Sequence, residues 1–266
     1  MMAMSLLQDQ AVVLARVDYS ETSQVIAFFT RAHGKVRAIA KGVKRGTQRR
    51  FAAGLDLLEI GEVVVSAREG QSGLATLTEW IQSRGLLGLR EKLFRIHAGL
   101  YVAELAHRLT EDADPHPMLF DALVDGLNEL NEATEPLCAI VTYQRALLDA
   151  IGSLPRFDAC VSCGRVDDLT HFSSHEGGTI CRHCEPNHVE KREVAGTVLR
   201  RLRWVEPPVG DAASQEGAAP QDQSLVGSFD LLDYHLSHLM GRRAETSEKI
   251  VPLLRRSVIK PQQAEQ

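Results

Sequence analysis

The sequence predicts an α+β multidomain chain: a small N-terminal β-barrel, then an α-helical bundle with an embedded four-cysteine module. Three observations lead there. Short β-rich runs follow one another at regular spacing before Trp80, the apolar period then changes from two to about 3.6, and two C-x2-C pairs interrupt the helical pattern.

The β-rich runs come first. AVVLARV (11–17), SQVIAFFT (23–30), GKVRAIAK (34–41) and LATLTEW (74–80) read as strands, and LDLLEIGEVVVS (55–66) reads as two more split at Gly61. Polar, Gly-containing stretches separate them, as turns require. Short strands with no helix-length pattern between them indicate a barrel or sandwich over residues 1–80, with an OB-like barrel leading.

After Trp80, three amphipathic helices are expected to form a bundle over 81–153. Their apolar positions are Leu93, Ile96, Leu100 and Ala103; then Phe120, Leu123, Leu127 and Leu130; then Leu137, Val141, Leu148 and Ile151. Pro117 and Pro136 suit first helical turns, and Gly152 suits a stop. Helical character returns over 191–258, in VAGTVLRRLRWVE (194–206) and around Phe229, Leu232, Leu236, Leu239 and Met240, ending at Gly241. Between these lies 207–224, a Pro/Gly/Ala/Ser/Gln stretch expected to be a flexible loop. Order is expected to fade around Pro252, leaving 259–266 as a disordered tail.

Residues 154–190 hold Cys160, Cys163, Cys181 and Cys184, spaced C-x2-C-x17-C-x2-C. Two residues between cysteines let one tight turn aim both sulfurs at a single metal. Gly164 can take the positive φ of the first turn, and Gly177 and Gly178 can form the hairpin that returns the second pair. Four thiolates close a tetrahedron, so one structural Zn2+ per chain is expected rather than a catalytic metal with an open position. No βαβ pattern supports a thioredoxin-like site, and the P-C-x-x-C of nucleic-acid deaminases is absent. Cys138, on a helix, is expected to be a small buried hydrophobe. His171, His175, His183 and His188 are expected on the surface, with no binding role for His235 and His238.

No signal peptide and no membrane-length apolar run are evident in the 266 residues, so a cytoplasmic protein is expected, and disulfides are disfavoured. The net charge is −5, yet residues 31–50, RAHGKVRAIAKGVKRGTQRR, contain eight Lys and Arg and no Asp or Glu. In a strand, Lys35, Arg37 and Lys41 share one parity while Val36, Ala38 and Ala40 share the other. The cations would then line an outer face, about 6.6 Å apart for neighbours two along. Lys44, Arg45, Arg49 and Arg50 extend the charge into a Gly-containing loop. Such a strip suits a phosphate backbone, and without Walker-type or G-x-G-x-x-G glycines a nucleotide pocket is not expected.

These pieces resemble, in order, the RecO family of bacterial DNA-repair proteins. The resemblance rests on VDYSETSQVIAFFTRAHGKVRAIAKGVKR, YVAELAHRLTEDADPHPMLFDAL, RFDACVSCGR with GGTICRHC, and LLDYHLSHLMGRRAETS. It implies an OB-fold domain, a helical domain with an embedded zinc module, and a nucleoid-associated location. The implied activity is that of a non-enzymatic recombination mediator. Such a protein binds single- and double-stranded DNA, anneals complementary strands, and assists recombinase loading on strands coated by single-stranded-DNA-binding protein. RecR and the coating protein's acidic C-terminal tail are the implied partners. Lys35, Arg37, Lys41, Lys44 and Arg45 carry over as DNA-binding positions; Arg49 and Arg50 rest on local charge alone. The alternative from the residues themselves is a zinc-ribbon interaction scaffold or RNA-binding protein acting in transcription.

Overall fold

The computed structural model describes residues 4–43, 55–68, 74–132, 136–203 and 223–259. The chain divides into two compact units, residues 1–134 and 135–266.

In the first unit five strands close a barrel in the order β1-β2-β3-β5-β4: β1 (Met4–Asp18), β2 (Gln24–Thr30), β3 (Gly34–Ala40), β4 (Ile60–Arg68) and β5 (Ala75–Arg84). β1 pairs with both β2 and β4, and a register shift between Val13 and Ala15 lets it curve from one partner to the other. Every pairing is antiparallel except β3 with β5, which closes the barrel through Ala38↔Ala75 and Ile39↔Thr76. That order, with one parallel seam, is an OB-like barrel. Its interior is filled by the alternate residues of each strand, including Val13, Ile26, Phe28, Ala38, Val63, Val65 and Leu77, with Phe28 against Trp80 at 5.4 Å between ring centroids.

One strand expectation is corrected. Residues 55–66 hold a single strand beginning at Ile60, preceded by a loop that adds Leu55 to the barrel core and places Leu58 beside Gly99 of the following helical segment, each leucine 2% exposed. Gly61 does not break the chain. A Cβ there would lie 2.4 Å from the Ile81 carbonyl oxygen, so glycine is what lets β4 and β5 approach.

Among the described residues, three helices complete this unit: α1 (Gly88–Glu91), α2 (Leu93–Leu109) and α3 (Pro117–Glu132). Phe120 of α3 meets Phe29 on the outer face of β2, centroids 6.2 Å apart. The expected stripe of α2 holds at Ala103 but is otherwise shifted. Leu93 is 63% exposed, and the buried stripe runs through Ala98, Tyr101, Val102 and Leu105. A helix apolar around most of its circumference shows its period without showing which side is covered.

The second unit comprises α4 (Pro136–Ala150), β6 (Leu169–Ser173), β7 (Gly178–Cys181), β8 (Arg192–Glu193), α5 (Gly196–Arg203), α6 (Gln223–Leu239) and α7 (Ser247–Ile259). α6 packs against both α4 and α5, and the strands form a small sheet in the order β7-β6-β8. Gly152 and Gly241 end α4 and α6 at φ values of 66° and 68°. Cys138 is exposed, a correction: α4 turns the neighbouring Ala139, Ile140 and Val141 inward instead. Most of the 207–224 stretch lies outside the described residues, but Gln223 and Ser224 already belong to α6. α7 continues through Pro252 to Ile259, with the proline leaving one carbonyl of the preceding turn without its helical N–H; residues 260–266 lie outside the described set.

Candidate nucleic-acid interface and metal centre

β3 presents the basic strip. Ala38 and Ala40 turn into the core, whereas Arg37 is exposed on the outer face and Lys41 is exposed just beyond the strand. Lys35 shares that parity but not that environment. It is 6% exposed, and its ammonium donates to the carbonyl oxygens of His107 at 2.8 Å and Thr110 at 2.6 Å. These carbonyls lie at the C-terminal end of α2, where unpaired acceptors and the helix dipole favour a cation. The expectation that Lys35 lies on an open cationic face is therefore corrected, because its charge caps a helix. Lys44, Arg45, Arg49 and Arg50 fall outside the described residues.

The strip is also less bare than its own composition suggests. Arg31 makes a two-pronged contact with Asp121 of α3, both distances 2.8 Å, and holds that carboxyl below the usual range. His33 pairs with Asp9 at 2.9 Å. Asp112, in the α2–α3 loop, lies 3.2 Å from Arg37 and 3.5 Å from the Lys35 ammonium. Burial, and then the nearby Lys35 and Arg37 charges, hold the His107 imidazole below its ordinary pKa. None of these carboxylates could be found from strand parity, since Asp112 is 75 residues from Arg37 in the chain.

In the second unit, the four cysteine sulfurs all lie within 4.8 Å of one another, and Cys163 Sγ is 3.7 Å from Cys181 Sγ. Tetrahedral thiolate coordination at about 2.3 Å requires sulfur separations of roughly 3.8 Å, so the donor set fits a zinc-sized ion. Local sequence explains the convergence. Gly164, at φ 77°, donates its N–H to the Cys160 carbonyl at 2.9 Å and closes the first turn. Gly177, at φ 70°, turns β6 into β7, and a Cβ on Gly178 would strike Val161 at 2.5 Å. Backbone bonds of 2.9 Å, from Thr179 N–H to the Arg156 carbonyl and from Val161 N–H to the Thr179 carbonyl, then join the first turn to β7. Burial alone would push the Cys160 thiol up, but the backbone amides of Cys181, Cys163 and Ser162 outweigh it and lower the pKa to about 6. Cys184 is pushed up to about 12, first by the neighbouring Cys163 sulfur, as expected when four thiols share one small space.

The nearby histidines belong elsewhere. His188 meets Ser162 Oγ at 2.8 Å; His235 is buried, donating from Nε2 to the Ser153 carbonyl at 3.1 Å with Nδ1 2.6 Å from Ser174 Oγ. The H-x-E of nucleic-acid deaminases, expected to be absent, is a correction: His183-Cys184-Glu185 and His188-Val189-Glu190 both spell it, but Glu185 pairs with Lys191, and Glu190 accepts from Ser173, the His175 N–H and Tyr234.

Comparison with known proteins meets this geometry from the sequence side. The family described as Recombination protein O N terminal matches residues 4–84, and that described as Recombination protein O C terminal matches residues 90–247. The chain belongs to the RecO family. It is similar to the DNA repair protein RecO of Anaeromyxobacter dehalogenans strain 2CP-C, 36% identical over 91% of this chain and 96% of that protein. Proteins of the same description from Bacillus subtilis and Myxococcus xanthus are 35% and 31% identical, over 74% and 90% of this chain and 77% and 94% of their own lengths. Membership makes this RecO-family chain a DNA repair protein, with a barrel, a helical region and a cysteine cluster able to hold a metal. Among the described residues, no helix is long and apolar enough to cross a membrane.

Proposed function

We propose that the protein is a non-enzymatic recombination mediator that binds single- and double-stranded DNA through Arg37, Lys41, Lys44, Arg45, Arg49 and Arg50. The observation that carries this reading is a twenty-residue strip with eight cations and no carboxylate in a RecO-family chain, of which Arg37 is exposed on the outer face of β3 and Lys41 just beyond it. Cations on phosphates release counterions and reduce repulsion between two strands, so complementary DNA can approach and anneal without any bond being made or broken by the protein. The same binding assists recombinase loading on DNA coated by single-stranded-DNA-binding protein, with RecR and that protein's acidic tail as partners in the nucleoid. One Zn2+ held by Cys160, Cys163, Cys181 and Cys184 has a structural role: it folds a segment with too small a core of its own.

Equilibrium binding of a labelled oligonucleotide at several salt concentrations tests the interface. Changing Arg37, Lys41, Lys44 and Arg45 together to Ala is expected to weaken binding equally across sequences. It should also flatten the dependence of log K on log salt by about 0.7 for each phosphate of a single strand that is no longer neutralised. An unchanged slope would remove the strip from the DNA site.

A further inference from the structure

The α2–α3 loop lies against the N-terminal end of β3, before that strand pairs with β5, and its contacts are built rather than incidental. Lys35 and Asp112 form a parallel bridge, and the Ala113 N–H donates to the Lys35 carbonyl at 3.0 Å. Ala113 adopts φ 59°, in the left-handed region. Gly34, at φ 67°, leaves so little room that a Cβ would lie 2.1 Å from the Asp114 carbonyl oxygen. The loop is thus held in place by backbone bonds and a glycine that admits no side chain. Asp112 is the residue so positioned that its carboxylate faces both strip cations of β3, at 3.2 Å from Arg37 and 3.5 Å from Lys35.

Lys35 is fixed by two carbonyls and does not need Asp112 as its sole partner. Arg37 is different. It is half exposed, as is Asp112, and points to solvent from the face on which DNA is proposed to bind. A carboxylate oxygen at that distance occupies the place a phosphate oxygen would take on the same guanidinium.

We propose that Asp112 is a built-in stand-in for phosphate: DNA must displace it from Arg37, so this residue sets how tightly the strip holds a strand. The inference rests on the proposed DNA-binding role of Arg37. A mediator that must pass strands onward benefits from a competitor within its own fold, because the competitor reoccupies the cation as the strand leaves and needs no second protein.

The variant Asp112→Asn keeps the shape and the hydrogen-bond acceptor but removes the charge. Exposed ion pairs are weak, so single-stranded oligonucleotide binding is expected to tighten only about two- to fivefold. The salt dependence should steepen, since the freed carboxylate no longer takes up a cation when displaced. Two comparisons separate displacement from simple repulsion. Asp114→Asn removes a charge from the same loop whose carboxylate contacts His116 rather than Arg37 and is expected to have a smaller effect. In an Arg37→Gln background, Asp112→Asn is expected to tighten binding no more than Asp114→Asn does, with thermal melting verifying that each variant is folded. Equal tightening by Asp112→Asn with and without Arg37 would overturn displacement and leave only long-range repulsion. If Arg37→Gln alone binds like the parent protein, the failure lies instead in the assignment of Arg37 to the DNA site.

Discussion

Lys35 and Arg37 are two residues apart on one face of one strand and have different roles. Lys35 satisfies the last carbonyls of α2, so removing its ammonium leaves buried acceptors without a donor. Lys35→Met is expected to lower stability by roughly 1–3 kcal/mol, measured by denaturant unfolding. It should leave the DNA affinity of the folded fraction near the parent value. Arg37→Gln is expected to do the reverse, with little change in stability because its pair with Asp112 is exposed. A Lys35→Met protein of unchanged stability would contradict the capping role. The sequence showed the parity of these side chains correctly, and Arg37, Ala38 and Ala40 follow it. Parity describes a strand's two faces, however, and not what another element lays across one of them; the α2 terminus over Lys35 arrives from some 75 residues further along the chain.

At the level of elements, the cysteine module was the most legible part, because its ligands are close in sequence and its turns depend on local glycines. Spacing identified four residues that the fold brings together, and Gly164 and Gly177 occupy the positive-φ positions that such turns need. The helices were legible in existence but less so in facing: α2 is apolar on too many sides to reveal its buried stripe, and Cys138 lies on the outer side of α4. Gly61 misled for a related reason, since a glycine can mark a break or a close approach, and only the Ile81 carbonyl beside it decides between them. For the module itself, Cys181→Ser is expected to abolish binding of about one equivalent of zinc and to open residues 154–190 to proteolysis, while the barrel stays folded. Parent protein purified without any bound metal, yet resistant to protease across that segment, would contradict a structural metal.

For the whole molecule, two units carry separate chemistry: an OB-like barrel with cations on β3 and in the sequence that follows it, and a helical unit with a cysteine cluster. Net charge concealed this arrangement, because a chain of −5 overall places eight of its 30 Lys and Arg in one twenty-residue segment without a carboxylate, and the fold brings carboxylates to several of them. The most direct measurement is fluorescence-monitored annealing of complementary strands coated with single-stranded-DNA-binding protein. Parent protein is expected to accelerate annealing of the coated strands, and the variant with Arg37, Lys41, Lys44 and Arg45 changed to Ala is expected to lose that acceleration while remaining folded. Annealing no faster than without the protein, or equally fast with the charge-stripped variant, would contradict a mediator working through this strip.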